Sequence, residues 1–221
     1  REMILPDCDI TLRFYFLTRC WSQHLETYLR KMKDDHGSPD LIIVLSCLWD
    51  INRWGSEGIQ QYRDNCGNLL RFVKTQLGAR TQVMWLTCPP ISVDVSSRGL
   101  VVEGMKDTHA MRFNVMEANL MVARTAASFG FDVLDLHNMM VHQVHRRQPD
   151  GLHWTQAAVR FQVNMVLTHF FKSRDLRLPG TLGRLCGNRG KLLGLKENTS
   201  ESENKDNKKN DINQNITNVL K

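Results

Sequence analysis

The sequence predicts an α/β fold: a parallel sheet with helices on both of its faces. Two observations carry this. Short runs of branched and aromatic residues alternate four times with long stretches of helical periodicity. Chain reversals marked by Gly or Pro separate the two kinds of segment, and strand–helix–strand repeats close most readily as right-handed parallel crossovers.

The first strand-like run is Ile10-Thr11-Leu12-Arg13-Phe14-Tyr15-Phe16. From Leu17 the period changes, and Leu17, Cys20/Trp21, His24/Leu25, Tyr28/Leu29 and Met32 form one helical stripe. His36-Gly37-Ser38-Pro39-Asp40 ends it. Leu41-Ile42-Ile43-Val44-Leu45 is then continuously apolar, as strands covered on both faces are. Ser46–Gly55 reads as a loop.

The second helix carries Ile59, Tyr62, Cys66, Leu69/Leu70, Val73 and Leu77, and stops at Gly78. Gln82-Val83-Met84-Trp85-Leu86 is the third strand, halted by Pro89-Pro90. After a long loop, a third helix is expected to turn Phe113, Met116, Leu120, Ala123 and Ala127 inward. Its methionines, with Met139 and Met140, read as gap-filling core. Phe131–Asp135 is the fourth strand, and a last helix from about Thr155 shows Ala158, Phe161, Met165 and Phe171. Residues 1–173 are thus expected to form one domain.

Beyond Arg174 the pattern stops. Glu197–Gln214 is almost wholly polar and cannot bury enough surface to offset ordering entropy, so residues 174–221 are expected to be a mostly disordered tail, open to a protein partner. The net charge of +6 divides unevenly: the tail holds ten Lys/Arg against six Asp/Glu, and the other 173 residues nineteen against seventeen. The folded part is nearly neutral, which argues against nucleic-acid binding. No apolar run reaches the length of a bilayer span, so no membrane partner is expected. Six scattered cysteines without a C-x-x-C pair read as reduced thiols and favour a cytoplasmic or nuclear location.

Ligands of open α/β sheets bind beyond the carboxyl ends of the strands. The sharpest cluster there is Pro149-Asp150-Gly151-Leu152-His153-Trp154, just before the last helix. Two intervening residues let the Asp150 carboxylate reach back to the Nδ1 hydrogen of His153, and Gly151 permits the tight turn. An imidazole so held offers Nε2 as a general base to a hydroxyl. The plainer alternative is that Asp150 caps the turn and His153 fills a surface niche. For Trp49-Asp50-x-x-Arg53-Trp54 two readings stand: Asp50 and Arg53 bind a substrate carboxylate or sugar hydroxyls with a Trp stacked above, or they pair internally with both rings buried. Ser46 is read as bonding locally at its strand end, with nucleophilic catalysis the lesser alternative. His142 and His145 share a helical face, but no Cys or carboxylate completes a metal set, so neither metal nor other cofactor is expected.

Four blocks in order, Arg13–Arg19, Ser46–Gly55, Phe131–His137 and Asp150–Trp154, resemble the PC-esterase domain-containing protein 1 family of the SGNH/GDSL hydrolase superfamily. The resemblance spans about residues 1–172. It implies a flavodoxin-like three-layer α/β/α sandwich and an esterase or acyl-transfer activity using a Ser-His-Asp set, on an acyl-ester small molecule or an acylated glycan. His153 and Asp150 take the base and orienting roles. Ser46, Trp49, Asp50, Arg53 and Trp154 would border the pocket. The superfamily's serine follows its first strand in a Gly-Asp-Ser block with no counterpart here. The expectation is that this central strand and its serine lie upstream of Arg1, and that the chain alone is unstable. The resemblance also departs at the oxyanion positions: no glycine precedes Gly37, and the superfamily's G-x-N-D block reads Cys47-Leu48-Trp49-Asp50. A non-catalytic interaction protein on the same fold is the competing expectation.

Overall fold

Successive residues of a strand point to opposite faces, and Val83, Met84, Trp85 and Leu86 are all buried, so the strand that carries them is covered on both sides. That strand is the middle of a three-stranded parallel sheet in a computed structural model that describes residues 1–5, 10–53, 58–93, 95 and 108–176. The elements run β1 (Glu2–Leu5), β2 (Ile10–Arg13), α1 (Gln23–His36), β3 (Leu41–Val44), α2 (Leu48–Arg53), α3 (Gly58–Phe72), β4 (Gln82–Leu86), α4 (Thr108–Phe129), β5 (Asp132–Leu134), α5 (Leu136–Val141) and α6 (Gln156–Ser173). The chain divides into two compact units, residues 16–159 and residues 1–15 with 160–221; the boundary passes through α6.

The larger unit holds the sheet, in order β3-β4-β5. Leu41 pairs with Gln82 and Met84 with Asp132, and a side-chain bond from Gln82 Nε2 to Asp132 Oδ2 (2.8 Å) ties β4 to β5. One apolar cluster unites Val83 and Trp85 with Leu25, Leu29 and Met32 of α1, Tyr62, Leu69 and Leu70 of α3, and Val115, Ala118 and Val122 of α4. Full burial of each larger aliphatic side chain contributes about 1.5–3 kcal/mol. The α/β class read from the sequence is the class observed.

Several elements differ from expectation in detail. Ile10–Arg13 does not join the parallel sheet. It pairs antiparallel with Glu2–Leu5 in the smaller unit, with Arg13 Nε 2.9 Å from Glu2 Oε2. A partner so near in sequence costs little loop entropy. Leu41–Leu45 is not covered on both faces: Ile43 and Leu45, which share a face, are exposed, and β3 is an edge of the sheet among the described residues. The first helix starts six residues later than its apolar stripe, because Ser22 caps it by accepting from the Leu25 N–H (3.2 Å).

The third helix turns the opposite way from the expected one. Met111, Val115, Ala118, Met121, Val122 and Ala126 are buried, while Phe113, Met116 and Leu120 are exposed. Both faces of α4 are apolar, so periodicity alone cannot select the inner one. Ser46–Gly55, read as a loop, contains the short helix α2. Trp54 and nearly all of the expected tail lie outside the described residues. Among the described residues no helix is long and apolar enough to cross a membrane.

Candidate active site

The residues singled out from the sequence gather in two places, both in the larger unit at the carboxyl side of the sheet.

The first follows β5. The chain runs through α5 and a single 3-10 turn at Val144–Arg146 into a loop whose ends are zipped together. Arg147 and Trp154 form an antiparallel bridge, Gln148 N–H donates to His153 O (2.7 Å), and Thr155 N–H donates to Arg146 O (2.9 Å). Gly151 sits at the tip with φ of 77°, a conformation that costs a side-chain-bearing residue energy. Asp150 Oδ1 accepts from the N–H groups of Leu152 and His153, each at 2.9 Å, and its Oδ2 lies 2.5 Å from His153 Nδ1. The loop is fastened to the segment after β4 by Ser92 N–H to Gly151 O (2.8 Å) and Arg147 Nη1 to Pro90 O (3.4 Å).

The His153 side chain is 67% exposed, so the ring does not turn into the interior. The hydrogen bond from His153, reinforced by the two backbone N–H groups, holds Asp150 down at a pKa of about 2. Its carboxylate is therefore ionised at neutral pH and fixes the imidazole proton on Nδ1, leaving the Nε2 lone pair as acceptor.

The second group follows β3. Asp50, in the first turn of α2, is only 3% exposed. Its Oδ1 accepts the Cys20 N–H (3.0 Å) and its Oδ2 accepts the Ser46 hydroxyl; the Tyr62 hydroxyl donates to Ser46 O. Burial raises the Asp50 pKa, opposed by the bonds from Ser46 and Cys20 and by the charge of Arg19. Arg53 lies over the Trp49 ring, 5.4 Å from its centroid, and the exposed Phe16 meets that ring edge-on at 5.9 Å. Asp50 is internal and the charge of Arg19 acts on it, while Trp49 is half-buried under the exposed Arg53. Trp154 is half-buried within the bridge beside His153.

Sequence reasoning missed a third network, between the two. Asn119, buried in α4, brackets the backbone of Cys88: it accepts from Cys88 N–H (2.8 Å) and donates to Cys88 O (2.9 Å). His137 Nδ1 lies 2.9 Å from the same carbonyl and 3.2 Å from Asn119 Nδ2. Thr87 donates to Asp135 Oδ1 (2.8 Å) and accepts from His137 N–H (2.9 Å). An Asn flanked by Ala118 and Leu120 in a largely apolar helix was the available signal. Among the described residues no group of three or more His, Cys, Asp or Glu side chains is arranged to hold a metal ion.

No protein-family model matches the chain. It is 35% identical over 169 residues, 76% of its length, to PC-esterase domain-containing protein 1A of Homo sapiens. It is 33% identical over 170 residues to PC-esterase domain-containing protein 1B of Homo sapiens, again over 76% of the chain. These alignments take in 37% and 39% of the two relatives, so the chain spans well under half of their length. Among solved structures, the lipase/acylhydrolase from Enterococcus faecalis is similar with a TM-score of 0.48 and 16% identity, over 66% of this chain and 69% of that one.

Proposed function

The chain belongs to the PC-esterase domain-containing protein 1 family, and from that premise we propose that it carries the acid–base half of an SGNH-type esterase or acyl-transfer site. The observation that carries the proposal is the contact of Asp150 Oδ2 with His153 Nδ1 at 2.5 Å beneath an exposed imidazole. His153 Nε2 would accept the proton of an attacking serine hydroxyl, then return it to the departing alcohol oxygen. The Asp150 carboxylate would stabilise the imidazolium formed between those steps. The substrate class is an acyl ester of a small molecule or a glycan. Trp49 and Arg53, stacked on one another after β3, would border the alcohol part.

The nucleophile is not assigned to a described residue, because the hydroxyl of Ser46 is given to Asp50. The test, on protein that carries the superfamily's serine-bearing segment as well, is hydrolysis of p-nitrophenyl acetate together with labelling by a fluorophosphonate probe. Both are expected, and both should disappear in His153→Ala. Labelling and turnover indifferent to that substitution overturn the assignment.

A second reading, a non-catalytic interaction protein on the same fold, is favoured by one observation. The Cys20 N–H, after the Ile10–Phe16 run where the resemblance would place an oxyanion donor, is occupied by the Asp50 carboxylate. A lost donor of this kind costs about 3 kcal/mol of transition-state stabilisation. Well-folded protein with neither labelling nor turnover selects this reading.

A further inference from the structure

Four thiols that the chemistry above does not use, Cys20, Cys47, Cys66 and Cys88, are buried in the core. Cys20 Sγ lies 3.8 Å from Cys66 Sγ, while Cys47 and Cys88 sit in the same buried cluster. We propose that Cys20 and Cys66 are a latent disulfide, a redox-modification site whose closure tethers the Thr18–Ser22 segment to α3.

Cys20 and Cys66 differ from Cys47 and Cys88 in what lets them move. Cys47 and Cys88 follow adjacent strands of one parallel ladder, and Cys88 is held at both its N–H and its C=O by Asn119. Cys66 is fixed within α3, but Cys20 sits in a bend that belongs to no helix or strand. A disulfide needs its sulfurs about 2.05 Å apart, so they must close by about 1.8 Å. Side-chain rotation with a small shift of that bend supplies this. Cys20 and Cys66 are both 0% exposed, and burial raises the Cys20 thiol pKa, so the closed site is slow to react. Brief opening of the bend admits an oxidant of the peroxide class. One thiolate attacks a peroxide oxygen, the O–O bond breaks, and a sulfenic acid and hydroxide form. The second thiolate then attacks that sulfur, the S–O bond breaks and hydroxide leaves. With the two thiol protons counted, one peroxide yields one disulfide and two waters. Because the Cys20 N–H also binds Asp50, the bridge would fix the Asp50–Ser46 contact at the end of β3.

The test treats the full chain with hydrogen peroxide, alkylates the remaining thiols after denaturation, and maps non-reduced tryptic peptides by mass. The expected product joins Cys20–Arg30 to Asp64–Arg71, two hydrogens lighter than the two peptides together. Tm should rise by about 5 °C and fall back on reduction with dithiothreitol. Cys20→Ala and Cys66→Ala should each remove both the linked peptide and the rise. Recovery of Cys20 and Cys66 in alkylated form, as sulfinic acids, or joined to other cysteines overturns the proposal, and the mapping decides this on the unsubstituted chain even if a variant folds poorly.

Discussion

Asp150 grips His153 at two points: one carboxylate oxygen accepts its backbone N–H at 2.9 Å and the other meets its Nδ1 at 2.5 Å. A single side chain thus fixes both the turn and the ring. Asp150→Asn separates the two tasks. The amide oxygen can still accept from Leu152 and His153, so the turn survives. The amide NH2, however, faces Nδ1 with a donor and drives the ring proton to Nε2, where the base is needed. In protein that carries the serine-bearing segment, turnover of p-nitrophenyl acetate is expected to fall about 10³–10⁴-fold, with a melting curve close to that of the parent. Unchanged turnover would remove His153 from the chemistry.

The same geometry sets an acid limit. Asp150 is held at about 2 first by the His153 hydrogen bond and then by two backbone N–H groups. With a folded pKa below the unfolded value near 3.9, the carboxylate stabilises the loop fully above about pH 4 and loses that effect as pH falls toward 2. Carboxyl carbon NMR of Asp150 should show its midpoint at about 2. In His153→Ala the midpoint should move up, yet stay below the ordinary range because the backbone bonds remain. A midpoint already ordinary in the parent chain would contradict the observed geometry.

Asp50 should behave in the opposite sense. Burial raises its pKa, so the folded state keeps the proton longer than the unfolded chain does. Stability therefore falls as pH rises from about 4 through the raised value. Asp50→Asn removes this dependence while retaining an acceptor for the Cys20 N–H, and its stability relative to the parent should improve between pH 4 and pH 7 in urea titrations. Asp50→Ala strands the Cys20 N–H and the Ser46 hydroxyl in the interior and should cost about 2–4 kcal/mol at any pH in that range. Equal pH slopes for parent and Asn variant would count against a buried, desolvated carboxylate.

How far the sequence reveals this molecule follows from the range of the forces involved. Asp150, Gly151 and His153 are within one turn of each other, so their spacing alone specifies a local device that needs no knowledge of the rest of the fold. The parallel pairing of β3, β4 and β5 is legible for a similar reason, since strand–helix–strand repeats close as parallel crossovers. What the sequence hides depends on partners distant along the chain. The inner face of α4 is decided by what it packs against, and with Phe113 and Leu120 on one side and Met111 and Val122 on the other, the helix itself is indifferent. Asn119 matters because its amide matches the Cys88 backbone 31 residues away, which no local pattern encodes.

The α2–α3 junction carries Asp50 on one side and Tyr62 on the other, and two glycines of α3 make it testable. A Cβ placed on Gly58 would lie 2.6 Å from Ile51 O and 3.0 Å from Ile51 C, both backbone atoms that cannot rotate away. Gly58→Ala must therefore push α3 off the end of α2, and an overpacked contact of this kind costs about 1–3 kcal/mol. Gly67, nine residues further along the same helix, has no atom within 4 Å of the added Cβ. There the substitution only trades a flexible backbone for a good helix former, which should stabilise by about 0.5–1 kcal/mol. Urea unfolding of the two variants is thus expected to shift the midpoint in opposite directions. If Gly58→Ala unfolds like the parent, the two helices do not approach as closely as described, and the placement of the Asp50 carboxylate against Cys20 loses its support.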